Sequence, residues 1–281
     1  MSTLTLDTFE QHIQYWRLRE LETVISEVED AFADRVHKKL VLANDYKNIL
    51  FPIMGKCITT LREIICLVMY GYPDGALSLA RNLYEQFIIV AFLENHRSDS
   101  DFNEIVKDYF LNYKIEQYKA LRYEANHCVQ NSELFKAYTS RIEETKKLAH
   151  HKVSEKNDYW WSGKPGFVKL ADDAQDNCTN LSDKRELAYL RLFYRRACAS
   201  IHANCFGNSV RLGIDSGYNG VDTSPQSGGH GVALYLSAFS FLVIAGIAFD
   251  EFNLEFDNYQ SRLNDLMSHY KKIVQKAYYS N

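Results

Sequence analysis

The sequence predicts an all-α fold, a bundle of many helices, on three observations. Only 4 Pro and 13 Gly occur in 281 residues, and most of the Gly lie in two short windows, so long segments carry no helix breaker. Apolar residues recur at three- and four-residue spacing along those segments. A hydrophobic content of 46 % excludes disorder for most of the chain. We therefore expect one helical domain over 1–281, with a core bundle at about 45–256 and the terminal helices packed on it.

The predicted helices follow one another between clear turns and loops. Pro52 begins or kinks the second helix, and GYPDG at 71–75 is a turn. A Gly/Ser-rich stretch at 213–231 predicts a long loop. The amphipathic periodicity predicts helices over 7–33, 45–70, 74–95, a Tyr-rich stretch after 99, 133–152, 187–206, 232–249 and 258–279.

The segment 232–249 contains no charged residue and lies at the lower limit for a membrane span. Ser237, Ser240 and Gly246 interrupt it, and no basic cluster flanks it. We therefore expect a buried central helix and no membrane association. The N-terminal residues lack the basic and apolar regions of a signal peptide, and the six Cys form no C-x-x-C pair. This favours a cytoplasmic protein with free thiols.

The helix predicted over 187–206 carries two different faces. Its apolar line indicates packing and consists of Leu187, Leu190, Tyr194, Ala197 and Ile201. A second stripe beside that line consists of Arg191, Arg195, Cys198, His202 and Cys205. Packing alone does not require cations and thiols beside a His, so this stripe is a candidate site. The net charge of −4 excludes a global basic field, and any contact with RNA must therefore use a local patch such as this one.

The helix predicted over 74–95 also carries a polar stripe on an otherwise apolar segment. The stripe contains Ser78, Arg81, Asn82 and Glu85 at helical spacing. Arg81 and Glu85 are four residues apart and can form an ion pair. A buried pair that orders the packing and a pair that binds a ligand are equally compatible with this pattern.

The loop YWWSGKPGF at 159–167 combines Trp160, Trp161 and Lys164 with a tight turn. Aromatic residues on a loop either stack on a base or cap a core, and here capping is the simpler interpretation. The spacing of a phosphate-binding loop is absent.

Arg195 and His202 are seven residues apart, so on a helix they differ by about 20° and about 10 Å along one face. This arrangement suits RNA cleavage without metal. A neutral imidazole takes the proton of the 2′-hydroxyl, and guanidinium groups stabilise the charged transition state. The products would carry a 2′,3′-cyclic phosphate and a 5′-hydroxyl.

The run Arg196-Ala-Cys-Ala-Ser-Ile-His202 resembles the Arg-x4–6-His motif of the HEPN superfamily. In this chain Ala197 follows the Arg, where the family usually has a polar residue. Many members are dimeric, metal-independent endoribonucleases of toxin–antitoxin and phage-defence systems. The resemblance implies His202, Arg196 and Arg195 as catalytic residues and requires no cofactor. It also implies RNA as substrate, a homodimer, and an antitoxin or defence-system protein as partner.

Residues of about 70–210 are also similar to an uncharacterised bacterial domain family of unknown function. The similarity rests on GYPDGALSLARNLYE, on WWSGK and on the approach to SIHAN. This similarity implies that Arg81, Glu85, Trp160 or Trp161, and His202 share one neighbourhood. The residues that would bind the substrate are Arg81, Glu85, Arg191, Trp160, Trp161 and Lys164.

Two alternatives stay open at this point. Cys198, His202 and Cys205 can offer three ligands to zinc from one helical face, although structural zinc usually takes four ligands from separated segments, and we expect no metal. The other alternative is a noncatalytic binding or regulatory module in which Arg81, Glu85 and His202 form a satisfied buried network.

Overall fold

The computed structural model describes residues 6–39, 45–154, 156–176, 184–201 and 230–279. Within these residues it contains ten α-helices and no β-strand, which confirms the predicted all-α fold. The helices are α1 (Leu6–Tyr15), α2 (Leu18–Lys39), α3 (Asp45–Met69), α4 (Pro73–Asn95), α5 (Phe102–His127), α6 (Ser132–Lys146), α7 (Phe167–Asp176), α8 (Lys184–Ile201), α9 (His230–Glu251) and α10 (Asp257–Tyr279).

The chain divides into two compact units. The first comprises Met1–Val90 and Thr179–Asn281, and the second comprises Ala91–Cys178. Helix α4 contributes its residues up to Val90 to the first unit and the remainder to the second. The expectation of a single domain over 1–281 stays a prediction.

Helix α9 forms the centre of the first unit, where it packs against α3, α8 and α10. Its sequence is apolar on every side, as expected for a helix surrounded by protein. The hydroxyl groups of Ser237 and Ser240 donate to the carbonyls of Leu234 and Leu236, so these buried polar groups are satisfied within the helix. Helix α9 begins at His230, and residues 213–229 of the predicted loop lie outside the described residues.

Two of the described helices, α4 and α9, are long and apolar enough to cross a membrane. In the most apolar 18-residue window of each helix, 61 % is buried inside the protein for α4 and 78 % for α9. Length and composition are the only criteria met, and buried core helices meet them too.

The single helix predicted over 7–33 is wrong, because the chain forms α1 and α2 with a break at Trp16 and Arg17. Arg17 adopts a left-handed conformation with φ of 51°, which costs a non-Gly residue about 1–2 kcal/mol. Its guanidinium donates to Glu20 at 2.6 Å and to Asp265 of α10 at 2.8 Å. These ion pairs and the burial of Trp16 and Leu18 offset the cost.

The second unit is organised around α5 and α6, which pack against each other. Helix α6 ends at Lys146, so the prediction of a helix to 152 is wrong at its C-terminal end. The backbone N–H groups of His150 and His151 donate instead to the buried carboxylate of Asp108 on α5. A short 3₁₀ turn, Trp160–Ser162, and α7 complete the unit, and α7 was not predicted from the sequence.

Candidate functional site

Helix α8 confirms part of its predicted apolar line: Leu190 and Ala197 of that line are buried, whereas Tyr194 is half-buried. Phe193 is also buried, whereas Arg191 is half-buried and Arg195 is exposed. The side chain of Arg196 lies outside the described part of the chain. Helix α8 begins three residues earlier than predicted and is described to Ile201, the residue before His202. His202 and Cys205 lie outside the described residues, and the arrangement of the Arg and His pair therefore stays a prediction.

Arg81 and Glu85 of α4 form the predicted ion pair. Arg81 Nε donates to Glu85 Oε1 at 2.9 Å, and the two side chains are 25 % and 23 % exposed. The hydroxyl of Tyr194 on α8 donates to the same carboxylate oxygen at 3.0 Å. Glu85 therefore joins the polar stripe of α4 to the helix that precedes His202, within the first unit.

Tyr194 contributes a ring as well as a hydroxyl to this cluster. The guanidinium carbon of Arg81 lies 5.8 Å from the centroid of the Tyr194 ring, and the Tyr84 ring packs on that ring at 4.9 Å. Burial and the adjacent Glu85 carboxylate raise the pKa of Tyr194, so the phenol remains a protonated donor at neutral pH.

The charge of Arg81 is stable in this setting. Burial acts to lower the pKa of the guanidinium, but the charge of Glu85 and the hydrogen bond with Tyr194 outweigh it and raise that pKa. We name Arg81, Glu85 and Tyr194 the Arg–Glu–Tyr cluster.

Trp160, Trp161 and Lys164 belong to the second unit. The Trp161 ring packs edge-on against Tyr109 and Phe92, with centroids 5.0 and 5.8 Å away. Both Trp side chains are buried, in agreement with the interpretation that this loop caps a core. Lys164 Nζ donates to Asp173 Oδ2 of α7 at 2.5 Å.

Sequence reasoning did not find the charged cluster around His96, at the end of α4. The His96 ring nitrogens bond to Asp99 at 2.6 Å and to Asp173 at 2.8 Å. Partial burial acts to lower the pKa of His96, but the two carboxylates outweigh it and raise that pKa. For Asp173, burial acts to raise the pKa, but Lys164 and His96 outweigh it and lower that pKa. The partners are up to 77 residues apart, so no local pattern indicated them.

Sequence reasoning also missed the role of Asp108. Its fully buried carboxylate accepts three hydrogen bonds, from the backbone N–H groups of His150 and His151 and from His151 Nδ1, at 2.7–2.9 Å. Because a carboxylate accepts only, the Nδ1–H tautomer of His151 is assigned. The sequence signal is an Asp spaced among apolar residues such as Ile105 and Leu111, which the structure buries on the same helix.

Among the described residues, no group of three or more His, Cys, Asp or Glu side chains is placed to hold a metal ion. Two of the three zinc ligands considered above, His202 and Cys205, lie beyond the described part of α8.

The model of a protein family matches the middle part of the chain. No curated protein and no solved structure matches the chain. The model of a family of unknown function, DUF5677, matches residues 47–219, which is more than half of the chain. The match includes the Arg–Glu–Tyr cluster, the second unit and His202. The chain therefore belongs to the DUF5677 family of unknown function.

Proposed function

We propose that this protein is a HEPN-like, metal-independent endoribonuclease of a toxin or phage-defence type that leaves 2′,3′-cyclic phosphate ends. One observation carries the proposal: the hydrogen bond from Tyr194 to Glu85. Through it, the cation of Arg81 lies beside α8, the helix that bears Arg191, Arg195 and Arg196 and reaches the residue before His202.

In this proposal His202 is the general base that takes the 2′-hydroxyl proton. Its ordinary pKa near ~6.5 suits that task at neutral pH. Arg195 and Arg196 stabilise the negative charge that builds on the phosphate, and Arg191 and Arg81 bind the RNA backbone. Direct contact of RNA with Lys164, Trp160 or Trp161 stays a prediction. In the second unit Lys164 pairs with Asp173, and both Trp rings are buried.

The biological setting is part of the proposal. A homodimer, a restraining antitoxin or defence-system partner and a cytoplasmic location follow from the HEPN resemblance and from the sequence composition. They are to be tested by solution mass measurement, by co-purification with products of adjacent genes and by cell fractionation.

The test is cleavage of total RNA and tRNA by purified protein in EDTA, with analysis of the product ends. We expect wild-type protein to release cyclic phosphate ends and His202→Ala to lose about 10²- to 10⁴-fold in rate, the usual contribution of a general base. Exposed His127 supplies a matched control, and His127→Ala should cleave like wild type. Cleavage that requires a divalent metal, or that survives His202→Ala, would contradict the proposal.

A noncatalytic binding or regulatory module is the second candidate, and the ion pair of Arg81 favours it. Glu85 already accepts from both Arg81 and Tyr194, as the carboxylate of a satisfied structural network would. If folded wild-type protein cleaves neither RNA substrate, this candidate replaces the nuclease.

A further inference from the structure

Among the described residues, the guanidinium of Arg81 has two polar partners, the Glu85 carboxylate and the Tyr194 hydroxyl. Glu85 accepts its Nε–H, and in the described part of the chain its terminal amino groups donate to no carboxylate. A quarter of the side chain is exposed to solvent. A guanidinium has five N–H donors, so these two partners leave terminal N–H groups with hydrogen-bonding capacity for a ligand.

The orientation of this guanidinium is constrained before any ligand arrives. The pair is formed across one turn of α4, and Tyr194 fixes the Glu85 carboxylate from α8. The Tyr194 ring lies beside the guanidinium at 5.8 Å. A constrained Arg loses less conformational entropy on binding than a free one, and its planar fork of donors matches a phosphate group.

We propose that Arg81 is a binding site for a phosphate group and that Glu85 sets its affinity in two opposed ways. Through Nε, Glu85 orients the guanidinium. Through its negative charge, it repels the incoming anion. Glu85 is therefore a positioning residue and an internal competitor, and it does not contact the ligand favourably.

This inference rests on the proposed function only for the identity of the ligand, the phosphodiester of RNA. The same chemistry serves a free nucleotide in a regulatory module. The experiment therefore uses three probes: inorganic phosphate, a nucleoside 5′-monophosphate, and a fully 2′-O-methylated RNA oligonucleotide, which lacks the 2′-hydroxyl that cleavage requires. Tighter binding of the oligonucleotide than of the monophosphate identifies RNA as the source, and the reverse identifies the nucleotide.

The decisive variant is Glu85→Gln, which keeps an acceptor for Arg81 Nε and removes the charge. We expect it to bind each probe about tenfold more tightly in calorimetry, because one unit of repulsion at a few ångströms is removed. Glu10 pairs with Arg19 through both carboxylate oxygens elsewhere in the first unit. Glu10→Gln is therefore the matched control and should leave all three affinities unchanged.

Loss of Arg81 is tested in a background that leaves no carboxylate unpaired. The double variant Arg81→Gln, Glu85→Gln should fold, as circular dichroism and thermal unfolding will report, and should lose the gain seen in Glu85→Gln. Unchanged or weaker binding by folded Glu85→Gln overturns the inference, as does a double variant that binds as tightly as Glu85→Gln.

Failure of this inference is distinguishable from failure of the nuclease. If the variants bind as expected but the protein does not cleave natural RNA, the nuclease proposal is rejected and the phosphate site is retained. Cleavage that depends on His202, combined with binding that ignores Arg81 and Glu85, removes the phosphate site and leaves the nuclease.

Discussion

His96 illustrates how a single side chain connects distant parts of the second unit. Both of its ring nitrogens face a carboxylate, Asp99 within the turn after α4 and Asp173 on α7. Only the imidazolium can donate from both nitrogens. Lys164 also bonds to Asp173 and completes a group of two cations and two anions. The protonation state of His96 therefore contributes to the attachment of α7 at the end of α4, where Asn95 also donates to the carbonyl of Ala174.

This attachment predicts a dependence of stability on pH. The carboxylates raise the folded-state pKa of His96, so its contribution is fully present below the unfolded value of about 6.5 and is lost as pH rises through the folded value. The lowered pKa of Asp173 places the loss of its own contribution in acid, below its ordinary value.

We expect the stability advantage of wild type over His96→Gln to shrink as pH rises from about 6 to 9, measured as urea unfolding midpoints across that range. His127→Gln alters an exposed imidazole and should show no such trend relative to wild type. An advantage that is constant with pH would show that His96 acts through packing alone.

At the scale of the element, α9 is the central helix of the core of the first unit. Its buried side chains meet α3, α8 and α10, and no charged residue interrupts them between Val232 and Phe249. Phe239 packs edge-to-face on Phe87 of α4 with centroids 5.5 Å apart. This contact fastens α9 to the same helix that carries the Arg–Glu–Tyr cluster.

We expect Phe239→Ala to destabilise the first unit by about 3–5 kcal/mol, since it removes a buried ring and leaves a cavity. The measurement is chemical unfolding followed by circular dichroism. Leu192→Ala on α8 truncates a side chain that is 40 % exposed and should change stability by less than about 0.5 kcal/mol. Equal effects of the two substitutions would contradict the central place of α9.

At the scale of the whole molecule, the reactivity of the Cys thiols measures how well each unit excludes solvent from its buried side chains. The four described Cys, at positions 57, 66, 128 and 198, are free. Cys57 is buried in the first unit, and burial raises the pKa of its thiol to about 12. Cys66 of the first unit and Cys128 of the second are exposed.

We expect iodoacetamide at pH 8 to alkylate Cys66 and Cys128 at least about 100-fold faster than Cys57, because the thiolate is the reactive form. Peptide mass spectrometry measures the alkylation of each of the three Cys. In urea, which unfolds the protein, their alkylation rates should become equal. Rapid alkylation of Cys57 without denaturant would show that the core of the first unit opens readily.

Much of this fold could be predicted because helix formation depends on near neighbours. The limits of α3 and α4, the burial of α9 and the ion pair of Arg81 with Glu85 follow from spacing within one or a few turns. The resemblance to a family of unknown function was also visible in the motifs and is confirmed by the family match. A HEPN-like ribonuclease activity of this chain stays a proposal.

The sequence by itself thus determined the fold class, most helices and the two polar stripes, because these depend on residues close along the chain. Only the tertiary structure decided the break at Arg17, the hydrogen bond from Tyr194 to Glu85, the His96 cluster and the hydrogen bonds from the loop after α6 to Asp108. Each of these involves partners 40 to 250 residues apart, and such partners meet only through the packing of the whole unit.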